Sequence, residues 1–211
     1  MKNNENEVVI LASGGIDSFA LILRAISENR KTVALMFDYG QGVIKKEKEA
    51  FKNFLSLVDK NLKIELKTSK IDFGYTSKFI RGNLEGLTTC WVPLRNAIFA
   101  MVGCSYAISR KIPVVWLGST REDVYPDNDK KFGKLFNPLV LYASYGEVLL
   151  VQPFVNIKKS TFIRKYCDFP LHLSWSCYKT GKYHCGTCKS CLQRKKAFKD
   201  SKILDKTRYL N

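Results

Sequence analysis

The chain has 211 residues, of which 45% are hydrophobic, enough for one domain with an ordinary core and a compact appendage. No apolar run approaches the roughly 20 residues a membrane span needs. The polar opening 1–7 lacks the regions of a signal peptide, so the expectation is a soluble, cytoplasmic protein.

The formal net charge of +16 fits an acidic partner such as ATP, RNA or an acidic protein surface. It also fits a set of lysine-rich, solvated helix faces. The lysines are spread along the chain rather than gathered in blocks, which favours the second reading and leaves nucleic-acid binding open.

Residues 8–12, Val-Val-Ile-Leu-Ala, form an apolar run of the kind buried on both faces of a parallel sheet. The chain then turns at Ser13-Gly14-Gly15, and 17–29 reads as a helix with Phe19, Ala20, Leu23 and Ile26 on one stripe. Residues 32–38 look like a second buried strand. A helix over 43–59 turns Ala50, Phe51, Phe54, Leu55 and Val58 inward. Residues 62–67 alternate like a strand nearer the sheet edge. The stretch 69–91, with Gly74, Gly82 and Gly86, reads as a long functional loop holding a short helix.

Further on, 95–110 is a helix with Phe99, Val102, Tyr106 and Ala107 at helical spacing, and 113–119 is a buried strand. Residues 120–134 read as loop. A helix over 137–147, a short strand over 148–151 and a helix over 158–166 follow. The tail from 171 contains a short helix over 191–198. Strands alternating with helices predict an α/β fold, a Rossmann-like parallel sheet with helices on both faces over 1–170, followed by a metal-binding tail over 171–211. In such a sheet, ligands belong at the carboxyl ends of the strands.

Ser13-Gly14-Gly15-Ile16-Asp17-Ser18 lies at one of those ends, after a strand and at the start of a helix. Glycines let the backbone turn tightly and approach a ligand without a Cβ in the way. The helix N-terminus offers free N–H groups to an anion, and Ser13 and Ser18 add hydroxyls. Asp17 would repel a phosphate unless Mg²⁺ lay between them, so the loop points to a metal-bound nucleotide, ATP with Mg²⁺. The plainer alternative is a Gly-Gly turn capped by serine or aspartate. The Lys-containing phosphate loop G-x-x-x-x-G-K-[ST] is absent.

Of seven cysteines, Cys177, Cys185, Cys188 and Cys191 crowd into the tail, while Cys90, Cys104 and Cys167 are scattered. In a cytosolic chain such clustering reads as metal ligation rather than disulfide bonding. Two residues between successive cysteines bring thiolates round one tetrahedral ion, and a fourth closes the site, so the expectation is structural Zn²⁺. Lys182, Lys189 and Arg194 would offset the negative charge. His184 is a competing ligand by position, and an iron–sulfur cluster or unligated thiols are the rival readings.

The loop resembles the SGGxDS loop of the N-type ATP pyrophosphatases, and loop and tail together resemble the 7-cyano-7-deazaguanine synthase family. The resemblance extends along nearly the whole chain. Phe37-Asp38-Tyr39-Gly40-Gln41 is similar to that family's FDYGQ, and Val92-Pro93-Leu94-Arg95-Asn96 to its VPGRN. Tyr125-Pro126-Asp127 is similar to its YPD, Pro153 and Lys159 to a proline and lysine six apart, and Trp175-Ser176-Cys177-Tyr178 with the cysteines through Arg194 to its zinc tail.

The resemblance implies an ATP-dependent ligase that adenylates 7-carboxy-7-deazaguanine and passes the acyl group to nitrogen, giving an amide and then a nitrile. It implies pyrophosphate binding by Ser13, Gly14, Gly15, Asp17 and Ser18, and charge neutralisation by Arg95 and Lys159. Tyr39 and Gln41 would hold the adenosine or the loop around it. Tyr125 and Asp127 would hold the base, and Trp175 would stack on it or pack beside the zinc. A homodimer is implied as well.

The chain also departs from the family pattern. Gly42 and Val43 stand where the family has Arg-His, Leu94 replaces a glycine, a Ser-Gly pair is missing before Tyr125, and Asn128 replaces a cysteine. These changes lie on the acceptor side. They raise a second reading, in which a larger amine, on a protein for instance, replaces ammonia and the reaction stops at the amide; related members placed beside antiviral genes offer an analogy. Two further readings are a tRNA-modifying pyrophosphatase, of thiolase or lysidine type, and a non-catalytic nucleotide-binding protein.

Overall fold

The computed structural model describes residues 6–58, 64–73, 92–123 and 125–210. Five strands, β1 (Glu7–Ala12), β2 (Lys31–Asp38), β3 (Ile64–Lys70), β4 (Val114–Leu117) and β5 (Leu149–Val151), form one sheet in the order β3-β2-β1-β4-β5. All neighbours pair in parallel, with Val9 opposite Val33 on one side and Val115 on the other. The central strand β1 is buried at all six positions because it is covered on both faces. At the edge, β3 alternates polar and apolar residues and is half open.

Helices α1 (Ile16–Ser27) and α2 (Ile44–Val58) pack on one face, α3 (Arg95–Ser109) and α4 (Lys130–Ala143) on the other. On the first face Phe19 stacks on Phe54 at 3.8 Å between ring centroids, with Phe51 edge-on. On the second, Phe37 stacks on Phe99 at 4.2 Å. Gly103 lets α3 lie close to β1, since a Cβ there would come within 2.5 Å of Leu11 Cδ2. Connections leave β1 toward β2 on one side of the sheet and reach β4 on the other. The strand order therefore reverses beside β1, and a crevice opens at the carboxyl ends there.

Two helices differ from the sequence reading. α4 begins at Lys130, seven residues before the expected start, because the Asp129 carboxylate accepts from the Phe132 N–H at 2.8 Å and caps it. Pro138 sits inside this helix. The lysines at 130 and 131 disguise its first turn as loop. The last helix, α6, runs Lys189–Ser201 rather than 191–198. It packs on α5 (Lys159–Lys165). The short helix expected within 69–91 falls largely outside the described residues, as does Cys90.

The tail contributes little regular structure before α6. Its Trp175, Cys177, Cys185, Cys191, Ala197 and Phe198 nevertheless belong to the same apolar cluster as Ile16 and Phe19. No helix among the described residues is long and apolar enough to cross a membrane.

Candidate active site

A cavity of about 340 Å³ occupies the crevice at the carboxyl ends of β1, β2 and β4. Its floor is the loop between β1 and α1. The Ser13 N–H donates to Ser18 Oγ at 2.9 Å, and the two hydroxyls lie 3.2 Å apart, so this hairpin is held by the serines it presents. Gly15 precedes the first turn of α1 with no side-chain cap, which leaves the helix N–H groups for a ligand.

Gly14 has a second constraint. Its φ of +73° is left-handed, and a Cβ there would lie 2.5 Å from the carbonyl oxygen of Glu47. The glycine is thus required by the first turn of α2 packed behind the loop as well as by any ligand in front of it. The Gly14 carbonyl also accepts from the Trp175 N–H at 3.0 Å, which ties the loop to the tail.

Asp17 and Lys159 are 142 residues apart in sequence, yet the Lys159 ammonium donates to Asp17 Oδ2 at 2.5 Å. Burial is the largest influence on Asp17 and pushes its carboxyl up against the pull of Lys159, with Asp123 and Glu122 pushing the same way as burial. On Lys159 burial works to lower the pKa, but Asp17, Asp123 and Glu122 outweigh it and keep the ammonium charged. Asp17 Oδ1 is buried and has no hydrogen-bond partner among the described residues. Three carboxylates around one ammonium leave the cluster anionic. The free Oδ1 is a ligand that a divalent cation could take beside the Ser13–Ser18 loop.

Across the cavity, Arg95 opens α3. Its guanidinium lies 5.8 Å from the Tyr39 ring centroid and donates to Tyr39 Oη at 3.3 Å. Burial opposes its charge, and Tyr39, Tyr178 and Asp127 overcome that and hold its pKa up. Tyr39 is itself raised by burial. Gln41 is buried and its amide is fully engaged. It accepts from the Tyr39 N–H at 2.9 Å and donates to the Phe37 carbonyl at 2.8 Å and to Glu47 Oε2 at 3.1 Å. Gln41 therefore braces the loop that carries Tyr39.

Tyr125 stands at the rim, where Lys189 of α6 crosses its ring at 5.1 Å and reaches its hydroxyl at 3.4 Å. Asp127, in contrast, is buried and turned away from the cavity. Its Oδ2 accepts the Asn96 N–H at 2.9 Å and caps α3, so its place in the structure is to aim Arg95. Trp175 lines the cavity and is buried against His184, ring centroids 4.5 Å apart, with the Lys46 ammonium 5.5 Å from its ring centroid. Asn128 lines the cavity and is held by the Ser119 hydroxyl at 2.6 Å. Gly42 is exposed with open space around it, whereas Val43 is buried in the core. Leu94 takes the left-handed φ of 56° at the entry to α3.

The sequence reading passed over Glu47, Glu122 and Asp123 and gave Lys189 only to the cysteine site, yet all four line the cavity. Glu47 and Lys189 each lie in the first turn of a helix that reaches the crevice, a signal visible only after the strand order is known. Val124, in the segment where the resemblance implies a missing Ser-Gly pair, is outside the described residues.

In the tail the sulfurs of Cys177, Cys185, Cys188 and Cys191 all lie within 4.8 Å of one another. Thiolates 2.3 Å from one tetrahedral ion are about 3.8 Å apart, so the set fits a single metal ion better than a cluster, which spaces its ligands more widely. Backbone N–H groups of Lys179 and Cys185 donate to Cys177 Sγ, and that of Cys188 to Cys185 Sγ, each at 3.3 Å, as ligating thiolates require. His184 is not in the set; its Nε2 accepts the Ser176 N–H at 3.2 Å. Arg194 is buried and bonded to Ser174, Ser176, Leu171 and Asp205, so it organises the tail around the metal site.

Fold and site define the class first. The sheet superposes on the U34-tRNA thiolase NcsA of Methanococcus maripaludis, a structure with its [4Fe-4S] cluster, at a TM-score of 0.53 and 17% identity, covering 95% of this chain and 68% of that one. It superposes on NMN synthetase from Francisella tularensis at 0.52 and 20% identity, over 95% and 78%. These likenesses establish a Rossmann-like fold.

Residues 7–202 match the family described as queuosine biosynthesis protein QueC, and the chain belongs to that family. It is 31% identical to the 7-cyano-7-deazaguanine synthase of Campylobacter fetus over 98% of both chains. To that of Campylobacter curvus it is also 31% identical, over 97% of this chain and 98% of the other. To that of Methanosphaera stadtmanae it is 29% identical, over 96% and 98%.

Proposed function

We propose that the chain uses ATP to activate the carboxylate of 7-carboxy-7-deazaguanine and transfers the acyl group to nitrogen, forming the amide and then 7-cyano-7-deazaguanine. The observation that carries this reading is the convergence of the Ser13–Ser18 loop, Lys159 and Arg95 on one cavity inside a QueC-family chain. The loop and the α1 N-terminus would take the β,γ-pyrophosphate. Lys159 and Arg95 would neutralise charge on the α-phosphate as the substrate carboxylate attacks and pyrophosphate leaves. Mg²⁺, when bound, would supply charge neutralisation at Asp17 Oδ1, and Zn²⁺ in the four-cysteine site would hold the tail. Tyr125, Asn128 and Lys189 form the wall available to the deazapurine.

A second reading rests on Gly42. A Cβ there would meet nothing within 4 Å, so the part of the cavity wall where the family pattern has an arginine is open, which suits an amine larger than ammonia and arrest at the amide. A homodimer remains an expectation from the family.

ATP–pyrophosphate exchange, with and without 7-carboxy-7-deazaguanine, tests adenylation. Exchange independent of that acid would refute it. Mass spectrometry of the product formed with ammonia then separates the two readings. A nitrile made with two ATP per product defeats arrest at the amide.

A further inference from the structure

Amide formation from an acyl adenylate needs a proton acceptor. The C–N bond forms as nitrogen attacks, the surplus proton of the nitrogen must go to a base, and the C–O bond to AMP breaks with its electron pair leaving on the phosphate. Ammonia is mostly protonated at neutral pH, so the requirement is acute.

Most cavity carboxylates among the described residues are already engaged. Asp17 is paired with Lys159. Glu122 accepts the Lys159 N–H, at 3.2 and 3.3 Å to its two oxygens. Asp123 accepts the Thr120 N–H and hydroxyl at 2.6 and 3.0 Å. The chain has two histidines, and neither lines the cavity.

Glu47 is different. It lies in the first turn of α2, lines the cavity and is half-buried. Its hydrogen bond comes from the neutral amide of Gln41 at 3.1 Å, and no lysine or arginine among the described residues is within ion-pair distance. That amide is fixed in turn by the Phe37 carbonyl and the Tyr39 N–H, so the carboxyl is held by the end of β2. The geometry points to Glu47 as the general base that takes the proton from the attacking nitrogen, a role that rests on the acyl-transfer reading above.

The electrostatic setting agrees. Burial is the largest influence and raises the carboxyl to about 7, Gln41 and Arg95 pull it down, and Asp38 pushes it up. A base matched to neutral pH is the most effective one.

Glu47→Gln keeps shape and the Gln41 contact but removes the base. The expected result is ATP–pyrophosphate exchange within a few-fold of the unmodified enzyme, with ammonia-dependent amide formation down by roughly 10²–10⁴-fold. Hydroxylamine is far less basic than ammonia and loses its proton to solvent readily, so hydroxamate formation by the variant should return to near the unmodified rate. The logarithm of the ammonia-dependent kcat should also lose its rise through neutral pH.

Unchanged amide formation from ammonia would overturn the assignment. So would equal loss of exchange, amide and hydroxamate, which would place Glu47 in support of the phosphate loop. If the unmodified enzyme shows no exchange with 7-carboxy-7-deazaguanine, the acyl-transfer reading itself fails, and that outcome is distinct from the others.

Discussion

The sheet and the cysteine tail are held together by opposite means. β1 and β2 are apolar runs buried on both sides, and their register follows from packing alone. The tail from Leu171 to Cys188 has one short 3-10 turn, over Leu171–Leu173, and otherwise relies on thiolates, on the buried guanidinium of Arg194 and on His184 between Trp175 and Tyr209. One region is specified by periodic hydrophobicity, the other by a few polar groups whose loss nothing else replaces. The seam between them is the Trp175 N–H on the Gly14 carbonyl, so the phosphate loop is held from the tail side as well as from the sheet.

The strongest test of this contrast removes a ligand. About one metal ion per chain is expected on metal analysis; Cys188→Ser, or chelation, should abolish that binding and leave the tail open to protease while the far-ultraviolet dichroism of the sheet survives. Structural zinc sites contribute on the order of 10 kcal/mol or more to such order. Loss of the whole fold in one transition would show that the two regions are a single unit.

Gly14→Val acts at the seam. The branched side chain meets the α2 backbone and a left-handed φ together, so pyrophosphate exchange should vanish and the melting temperature should drop. Exchange at a normal rate would remove the loop from the active site.

Arg194→Ala leaves Asp205, Ser174 and the Leu171 carbonyl without their cation and should cost about 3–5 kcal/mol in denaturant unfolding. Arg194→Lys should recover little of this, because an ammonium lacks the fork that reaches four partners at once. Full recovery would mean that charge rather than geometry organises the tail.

Glu47 gives a smaller, pH-dependent effect on the sheet side. Its carboxyl lies at about 7 in the fold and at 4.5 ordinarily, so the fold favours the protonated form. Its contribution to stability is complete below pH 4.5 and is lost as pH rises through 7. Glu47→Gln does not titrate and should gain melting temperature relative to the unmodified chain between pH 4.5 and 8. A constant difference across that range would contradict the raised value.

The smallest effect should come from Leu94→Gly. A leucine at φ 56° costs about 1 kcal/mol or slightly more, and its side chain is largely exposed, so the glycine should raise stability by less than about 1 kcal/mol after its own backbone entropy. A fall in the denaturation midpoint would show that the leucine side chain has a packing role.

The sequence alone determined the β1–α1–β2–α2 start, the Ser13–Ser18 turn between β1 and α1, and the grouping of four cysteines in the tail. Each is a local pattern: an apolar run, a Gly-Gly turn before a helix, or three thiols spaced by two residues with a fourth shortly before them. The same locality explains the missed first half of α4, where Asp129 caps a helix whose first turn looks like solvated loop. Tertiary structure decided everything that joins distant segments. It put Lys159 on Asp17, turned Asp127 from the cavity onto the Asn96 N–H, and set Gln41 to brace its own loop. Glu47 emerged only there, because strand order brings the first turn of α2 behind the phosphate loop, and burial beside a neutral amide, rather than residue type, sets its proton affinity.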